Sequence, residues 1–443
     1  MKARMQHLLL AIPLLLALSA APVWAGFLVQ CPTDTLLADG VTPGKDGVSD
    51  DPNVACMHIA AGDGFTKMAD GKDQYIFGFS PIPPGMPEEE VLSNFALKAM
   101  FPGPTITLRQ GQELYISLSN VGMILRPDLF DPHSIHWHGF INAASVFDGV
   151  PEVSPAAAMQ ATQPYYYKAA KEGTFFYHCH VEATEHMQMG MIANLWVTPG
   201  QDFIANGFML GSHVHQNSGD VDMPPYGNFP TPADGDVDLN GNGIFDIGPH
   251  HQYVYNDGDG STYYDVSYPI QLTSFDSNFH DKHLAVQPLP FAEMKDNYFM
   301  INGRGYPDTI NTSPDAVLNN AGDYYGSDYI AQNMPTLIQV QAGRKISLRI
   351  SNVSTTDLIT VATTLGVPMK VVGRGAELLR GPTGLDTSYK VNVLNIGGGQ
   401  AYDVIIDTAG VPAGTYFLYT TNLQFLSNNA EERGGIMTEI VLN

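Results

Sequence analysis

Histidines are concentrated in two short segments of this chain. Residues 131–140 read DPHSIHWHGF, and residues 176–191 read FYHCHVEATEHMQMGM. Together the two segments contain six of the fourteen histidines and one of the three cysteines. Side chains at i and i+2 of a β-strand lie on one face, and the side chain between them lies on the other. The HxH and HCH spacings therefore predict strands that present pairs of imidazoles on a single face.

Strand parity divides the metal-binding side chains of these segments into two sets. The cysteine of HCH faces away from its two histidine neighbours, and the first histidine of HSIHWH has the opposite parity to the HxH pair. The first set combines two imidazoles, one thiolate and one thioether, from His133, Cys179, His186 and Met191. The second set has four imidazoles, from His136, His138, His178 and His180.

The two sets suit different copper chemistries. Two histidines, one cysteine and a weak axial methionine form the blue-copper site of electron-transfer proteins. Four imidazoles without a thiolate suit a type 2/type 3 copper centre that handles oxygen. Because Cys179 is covalently continuous with His178 and His180, these three residues offer a short through-bond route for catalytic electron transfer. Zinc is the alternative metal, since cysteine and histidine also bind zinc.

The rest of the chain predicts an all-β protein. It contains 44 glycines and 31 prolines, and turn-rich stretches separate short runs of alternating apolar and polar residues. That pattern is typical of β-sandwiches. PTITLRQGQELYISLSNV from Pro104 resembles PTLIQVQAGRKISLRISNV from Pro335, and GTFFYHCH from Gly173 aligns with GTYFLYTT from Gly414. The sequence therefore predicts two copies of one β-domain, of which the second lacks the HCH residues.

We expect an exported protein with five segments. In an N-terminal signal peptide, residues 1–25, Lys2 and Arg4 precede the apolar run LLLAIPLLLAL, which is short for a membrane span. The expected location is the periplasm, the cell surface or the extracellular medium, where Cys31 and Cys56 would form a disulfide. The other expected segments are an N-terminal segment (26–69), a copper-binding domain (70–200), a Gly/Asp/Pro-rich linker (201–264) and a domain without copper ligands (265–443).

The acidic composition limits the partners of this chain. A formal net charge of −24 and a pI of about 4.7 argue against nucleic acid and anionic membrane surfaces and favour cations or basic proteins. Within the linker, DVDLNGNGIFD resembles a calcium loop, although Ile247 stands where an acidic residue is usual. A solvated turn is the alternative interpretation. The predicted calcium ligands are Asp236, Asp238, Asn240, Asn242 and Asp246.

HSIHWHG and HCHVEATEHMQMGM together resemble the copper-binding motif pair of the multicopper oxidases, the cupredoxin-type family of laccases, ferroxidases and manganese oxidases. The resemblance implies two cupredoxin-like Greek-key β-sandwich domains with both motifs in the first. It also implies that a reduced substrate gives electrons to type 1 copper and that a type 2/type 3 centre reduces oxygen. The implied type 1 ligands are His133, Cys179, His186 and Met191, and the implied type 2/type 3 ligands are His136, His138, His178 and His180.

The chain departs from the family pattern in two ways. Five residues separate His180 from His186, whereas many laccases have three. The family's trinuclear copper cluster takes eight histidines, and the two motifs supply four. Histidines outside the motifs are one source of the others; a homo-oligomer or a hetero-complex with a partner protein is the other. The candidates outside the motifs are His213, His215, His280 and His283.

The leading hypothesis is an exported multicopper oxidase. Its reductant would be a metal ion, such as Cu(I), Fe(II) or Mn(II), or a phenol, and its electron acceptor would be oxygen. A second hypothesis is a blue-copper protein without a complete trinuclear cluster, which exchanges electrons with redox protein partners. A third is an enzyme resembling copper nitrite reductase, although that resemblance would place a non-ligand residue at His180. The fourth is a copper-binding protein without turnover.

Overall fold

The computed structural model describes residues 30–142, 144–205, 207–215, 253–312, 332 and 334–443. The expected signal peptide and calcium loop lie outside these residues. The described part of the chain is built mainly of strands, so the fold is all-β as predicted. None of its helices has the length and apolar character that a membrane crossing needs. Its α-helices are α1 (Glu88–Phe95), α2 (Ala183–Gln188) and α3 (Ser277–Leu284).

The first sandwich consists of two four-stranded sheets. One sheet has the order β2 (Asp73–Ile82), β1 (Val54–Lys67), β4 (Glu113–Gly122) and β6 (Thr162–Lys168). The other has the order β3 (Ile106–Arg109), β8 (Ile192–Thr198), β7 (Gly173–His178) and β5 (His136–His138). A short hairpin, β9 (Met209–Leu210) with β10 (His213–Val214), follows this sandwich.

The second sandwich consists of a seven-stranded and a five-stranded sheet. The seven-stranded sheet has the order β12 (Tyr298–Ile301), β11 (Val266–Phe275), β14 (Lys345–Asn352), β20 (Gln400–Asp407), β16 (Met369–Arg374) and β17 (Glu377–Leu378), with β18 (Tyr389–Val391) also paired to β16. The five-stranded sheet has the order β13 (Ile338–Val340), β22 (Met437–Leu442), β21 (Gly414–Thr420), β15 (Ile359–Thr363) and β19 (Val393–Ile396).

The two sandwiches share one connectivity, which is the structural form of the internal repeat. β1 runs parallel to β4 in the first sandwich, and β11 runs parallel to β14 in the second. Likewise, β3 is parallel to β8, and β13 is parallel to β22. Alternation along the strands builds a separate core in each sandwich: Leu114, Ile116 and Leu118 of β4 are fully buried, and β14 buries three apolar residues in the same way. Each such side chain contributes about 1.5–3 kcal/mol of hydrophobic stabilisation.

Two regions outside the expected domains are part of the sandwiches. β1 lies within the expected N-terminal segment, and it lacks a clear alternation because nearly all of it is buried on both faces. The predicted disulfide joins Cys31 to Cys56 of this strand and so ties the N-terminal segment to the first sandwich. Tyr255 and Tyr264, in the expected linker, pack against the second sandwich.

A buried polar cluster joins the two sandwiches. The Arg349 guanidinium of β14 lies 3.7 Å from the Asp403 carboxylate of β20, and both side chains are 1% exposed. Thr174 of β7, in the first sandwich, donates a hydrogen bond to the same carboxylate, as does Tyr255 at 2.5 Å. The guanidinium also lies 5.2 Å from the ring centroid of Trp196 in β8. The second domain is therefore held against β7 and β8 of the first.

We expect Arg349→Met to lower the free energy of unfolding by about 3–5 kcal/mol, because it leaves the Asp403 carboxylate buried without its cation. Chemical denaturation followed by tryptophan fluorescence measures this change. Arg349→Met combined with Asp403→Asn should recover much of the loss, since the double variant buries no unpaired charge. A double variant no more stable than the single one would contradict this account.

Candidate metal centres

The paired strands β5 and β7 position the histidines of both motifs. His136 lies opposite His178 in the antiparallel register, and Trp137 lies opposite Tyr177. Trp137 and Tyr177 are fully buried in the core, so the intervening histidines project from the other face of the sheet. Cys179 follows the end of β7 and is buried in the core. The strands thus separate the two sets of side chains as parity predicts.

The first cluster consists of His133, Cys179 and His186. Their ligand atoms lie within 4.8 Å of one another, and all three residues are fully buried. Cys179 Sγ lies 3.2 Å from Nδ1 of His186 and 3.9 Å from Nδ1 of His133. The Ser134 N–H points at the sulfur from 3.4 Å, and Cys179 N–H donates to the carbonyl of Met191, a fully buried residue.

The longer loop after His180 folds into a short helix that returns His186 to the cluster. Glu182 has a left-handed backbone, with φ of 47°, and immediately precedes α2. His186 N–H donates to the Glu182 carbonyl, and Met191 N–H donates to the His186 carbonyl. The extra residues relative to many laccases therefore form one turn of helix, and they do not displace the histidine.

Charge in the first cluster favours a bound cation. Burial lowers the pKa of His133 well below its usual value, so this imidazole is neutral and can act as a ligand. Burial also acts to lower the pKa of His186, but the Cys179 thiolate and the Asp131 carboxylate outweigh it and raise that pKa to about 10. The same negative groups would stabilise a metal ion. Two imidazole nitrogens and a thiolate, buried together, are a donor set that fits copper.

The second cluster consists of His136, His138, His178 and His180. The first three have ligand atoms within 4.8 Å of one another, and the ring centroid of His180 lies 4.9 Å from that of His136. His136 Nδ1–H donates to the Asp148 carbonyl at 2.7 Å, and His178 Nδ1–H donates to the Cys179 carbonyl at 2.8 Å. These bonds leave each Nε2 free as a metal ligand.

Burial favours the neutral form of three imidazoles of the second cluster, those of His136, His138 and His178. Burial lowers the pKa of His136 and of His138 below the usual value, and it lowers the pKa of His178 to about 3. A glycine-rich loop of the second domain, residues 397–399, lies beside the cluster: a side chain at Gly399 would begin 3.5 Å from Nε2 of His138. The second domain therefore faces these histidines, and in the described residues it adds no imidazole to them.

The structure does not bring His280 and His283 to the second cluster. Both lie buried on α3, and His280 Nδ1–H donates to the backbone carbonyl of Tyr75 in β2. His283 Nε2 lies 2.7 Å from the Glu185 carboxylate, next to the first cluster. Their i, i+3 spacing on one helical face explains their shared burial, because that face packs on the first domain. Their role as possible copper ligands stays a prediction, and within one chain they do not join the four histidines of the second cluster.

His213 and His215 also lie apart from the four clustered histidines. Both belong to the hairpin that ends in β10, and their ring centroids lie 5.8 Å and 5.7 Å from that of Tyr253. Their HxH spacing does place them on one side of the chain, as on a strand. That side packs against a tyrosine and not against the cluster.

Sequence reasoning missed an acidic group beside His186. Carboxylate oxygens of Asp131, Glu182 and Glu185 and a nitrogen of His186 lie within 4.8 Å of one another. Asp131 Oδ2 is 3.9 Å from His186 Nε2, and neither atom has a hydrogen-bond partner among the described residues. Glu182 is exposed, so this group opens to solvent. The sequence does contain a hint of this group, because all three acidic residues lie inside the two histidine-rich motifs.

A double cupredoxin-like sandwich with a His–Cys–His cluster beside four further histidines defines a copper protein of the cupredoxin class. Two family models, both described as multicopper oxidase, match residues 87–202 and 285–441. Together these matches cover more than half of the chain. The chain belongs to the multicopper oxidase family, and membership implies copper as its cofactor.

Individual relatives are more distant. The chain is 28% identical to the multicopper oxidase MCE of Talaromyces pinophilus over 108 residues, which are 24% of this chain and 16% of that protein. It is 35% identical to a copper resistance protein A homolog of Pseudomonas syringae pv. tomato over 80 residues, which are 18% of this chain and 12% of that protein. The aligned regions thus span less than a fifth of these curated relatives. The crystal structure of a blue copper oxidase from Nitrosomonas europaea is similar in fold, with 20% identity, a TM-score of 0.55 and coverage of 87% of this chain and 85% of that one.

We expect the two clusters to bind metal independently, because they lie on opposite faces of one strand. Cys179→Ser should lose about one copper per chain together with the intense visible absorption of a copper–thiolate bond. His138→Ala should keep that absorption and lose copper from the second cluster. Metal analysis and visible spectroscopy of the copper-loaded variants measure both quantities. Loss of both classes of copper from either variant would contradict independence.

Proposed function

We propose that this chain is an exported multicopper oxidase that couples one-electron oxidation of a reduced substrate to the reduction of oxygen. One observation carries the proposal: a buried donor set and a partly buried one lie on opposite faces of one strand and are joined by three consecutive residues, His178, Cys179 and His180. An electron-transfer site and an oxygen-reducing site need this proximity. Family membership supports the same activity.

In this proposal each cluster holds one kind of copper centre. His133, Cys179 and His186, with Met191 as axial ligand, would hold type 1 copper. The four histidines of the second cluster would hold copper of the type 2/type 3 centre. Copper bound at the two places would supply the one-electron oxidation of the donor and the reduction of oxygen to water.

Residues of this chain connect the two clusters and shield the first one from water. Cys179 supplies both the thiolate of the first cluster and the peptide bonds that lead to its two histidine neighbours. Ser134 reinforces this connection, since its N–H points at the Cys179 sulfur and its hydroxyl accepts a hydrogen bond from His180 N–H at 3.1 Å. Full burial of the first cluster keeps water away from the sulfur.

The acidic group supports a metal ion as the electron donor. His186 is fully buried, so a phenol ring has no direct access to the imidazole. A small cation can instead be held by Asp131, Glu182 and Glu185, within a few ångströms of His186 Nε2. A unit charge about 4 Å from a carboxylate gains ~4 kcal/mol at the effective dielectric near a protein surface. Cu(I), Fe(II) and Mn(II) are therefore preferred donors in this proposal.

The second cluster needs ligands beyond its four histidines, and this need supports an oligomer or a hetero-complex. The described residues of the second domain offer no imidazole there, whereas His136, His138 and His180 are only partly buried. Leu358, which is 66% exposed, lies next to Gly397 of the loop beside the cluster. We propose that a second copy or a partner protein covers this face and adds its own ligands.

Two further parts of the proposal concern location and calcium. The expected signal peptide and the Cys31–Cys56 disulfide support export to an oxidising compartment, whether periplasm, cell surface or medium. The proposed calcium loop, residues 236–246, lies outside the described residues and rests on its alternating oxygen side chains alone.

The second candidate function is a blue-copper electron carrier. The absence of histidines from the described second-domain surface beside the second cluster favours it, because a carrier needs only the first cluster. Copper content and EPR of copper-loaded protein separate the two. One type 1 copper per chain and no other would favour the carrier, whereas additional copper with a type 2 signal would support the oxidase.

We expect oxygen uptake with Fe(II), Cu(I) or Mn(II) as donor, and we expect the acidic group to set the KM for that donor. Asp131→Asn with Glu182→Gln should raise this KM about tenfold, which corresponds to ~1.4 kcal/mol. The KM for an uncharged organic donor should not change, because its binding gains nothing from the carboxylates. Glu113→Gln, remote from the cluster on β4, is the control. Equal effects on both kinds of donor would argue against a cation site.

A further inference from the structure

Helix α3 of the second domain covers the first cluster. Phe279 is fully buried in the core of the first sandwich, and His280 donates to the Tyr75 carbonyl of β2 at 2.6 Å. Lys72, next to β2, forms an ion pair with Asp281 of the helix at 2.7 Å. The helix therefore lies on the first domain although its sequence belongs to the second.

A chain of hydrogen bonds runs from this helix to the acidic group. Arg126 is held by Asp128 through two bonds, of 2.9 Å and 2.7 Å. Arg126 Nη1 lies 2.9 Å from Nδ1 of His283, and His283 Nε2 lies 2.7 Å from Oε1 of Glu185. Because a guanidinium only donates, Nδ1 of His283 accepts, and its ring N–H is at Nε2 and points at the Glu185 carboxylate.

This arrangement fixes Glu185 where the acidic group meets the first cluster. The His283 side chain is 1% exposed and the Glu185 side chain 12%, so water competes little for their bond. The Phe77 ring packs edge-on against both His283 and His186, with centroid distances of 4.8 Å and 5.8 Å. A glutamate without this partner would be free to change rotamer and move away from His186.

We infer that His283 is a positioning residue for the electron-donor site: it holds the Glu185 carboxylate beside His186, so that the second domain sets the affinity for a cationic donor. The inference rests on the proposed function of the acidic group. It assigns to His283 a role distinct from copper ligation. The hydrogen-bond direction set by Arg126 makes the role specific, since a side chain at 283 must accept on one side and donate on the other.

The chain offers matched variants for a test. His283→Leu removes both hydrogen bonds and keeps an apolar side chain of similar size. His283→Gln retains one acceptor for Arg126 and one donor for Glu185, so it should restore the function. His280→Leu changes another buried histidine of the same helix that makes no hydrogen bond to Glu185, and it serves as the control for helix packing.

Mn(II) is the probe, added to full-length protein already loaded with copper. Bound Mn(II) is measured from the loss of the free-ion EPR signal, and copper content and visible absorption are recorded for each variant. We expect His283→Leu to weaken Mn(II) binding about tenfold, and we expect His283→Gln and His280→Leu to bind within about twofold of wild type. The metal-donor KM in oxygen uptake should rise about tenfold in His283→Leu, with kcat unchanged.

Three results would overturn the inference. Wild-type protein that binds no Mn(II), equal binding by wild type and His283→Leu, or equal weakening in His280→Leu each removes the positioning role. Failure of oxygen uptake with every donor is a different result, because it rejects the proposed oxidase and leaves the Mn(II) comparison intact. A loss of copper or of the visible band in His283→Leu would instead assign the residue to support of the first cluster.

Discussion

The site depends on one constraint: neighbouring side chains of a β-strand lie on opposite faces. Cys179 points into the core of the first sandwich while His178 leaves it on the other side, so one stretch of backbone serves two environments. One environment is closed and contains the cysteine sulfur, and the other is lined by imidazoles next to a domain boundary. Shifting the register of β7 by one residue would exchange these environments and destroy both clusters.

The second domain acts on this strand from two directions. Its seven-stranded sheet packs on β7 through Arg349 and Asp403, and its glycine-rich loop lies beside His138. Its α3 reaches around to the other cluster and contacts Glu185 through His283. The second domain, whose described residues add no imidazole to the second cluster, therefore forms one side of both clusters.

The sequence predicted the features that depend on local parity and spacing. HSIHWH and HCH identified the two donor sets because strand alternation is a local rule, and the aligned GT-x-F motifs identified the repeat. The position of α3 was not predictable, because the spacing of His280 and His283 shows which face is buried but not which surface buries it. The acidic group was missed for a related reason: isolated carboxylates usually indicate a solvated surface, and only the fold brings Asp131 next to Glu182 and Glu185.

The cover that α3 forms has a consequence for the order in which the protein matures. The first cluster is complete within the first domain, but Phe279 and His283 of α3, which close one side of it, come later in the chain. A nascent or truncated chain that ends before α3 would leave that side open to solvent and to metal. With the helix in place, Glu182 is the exposed member of the acidic group, so a molecule that approaches His186 from that side meets negative charge first.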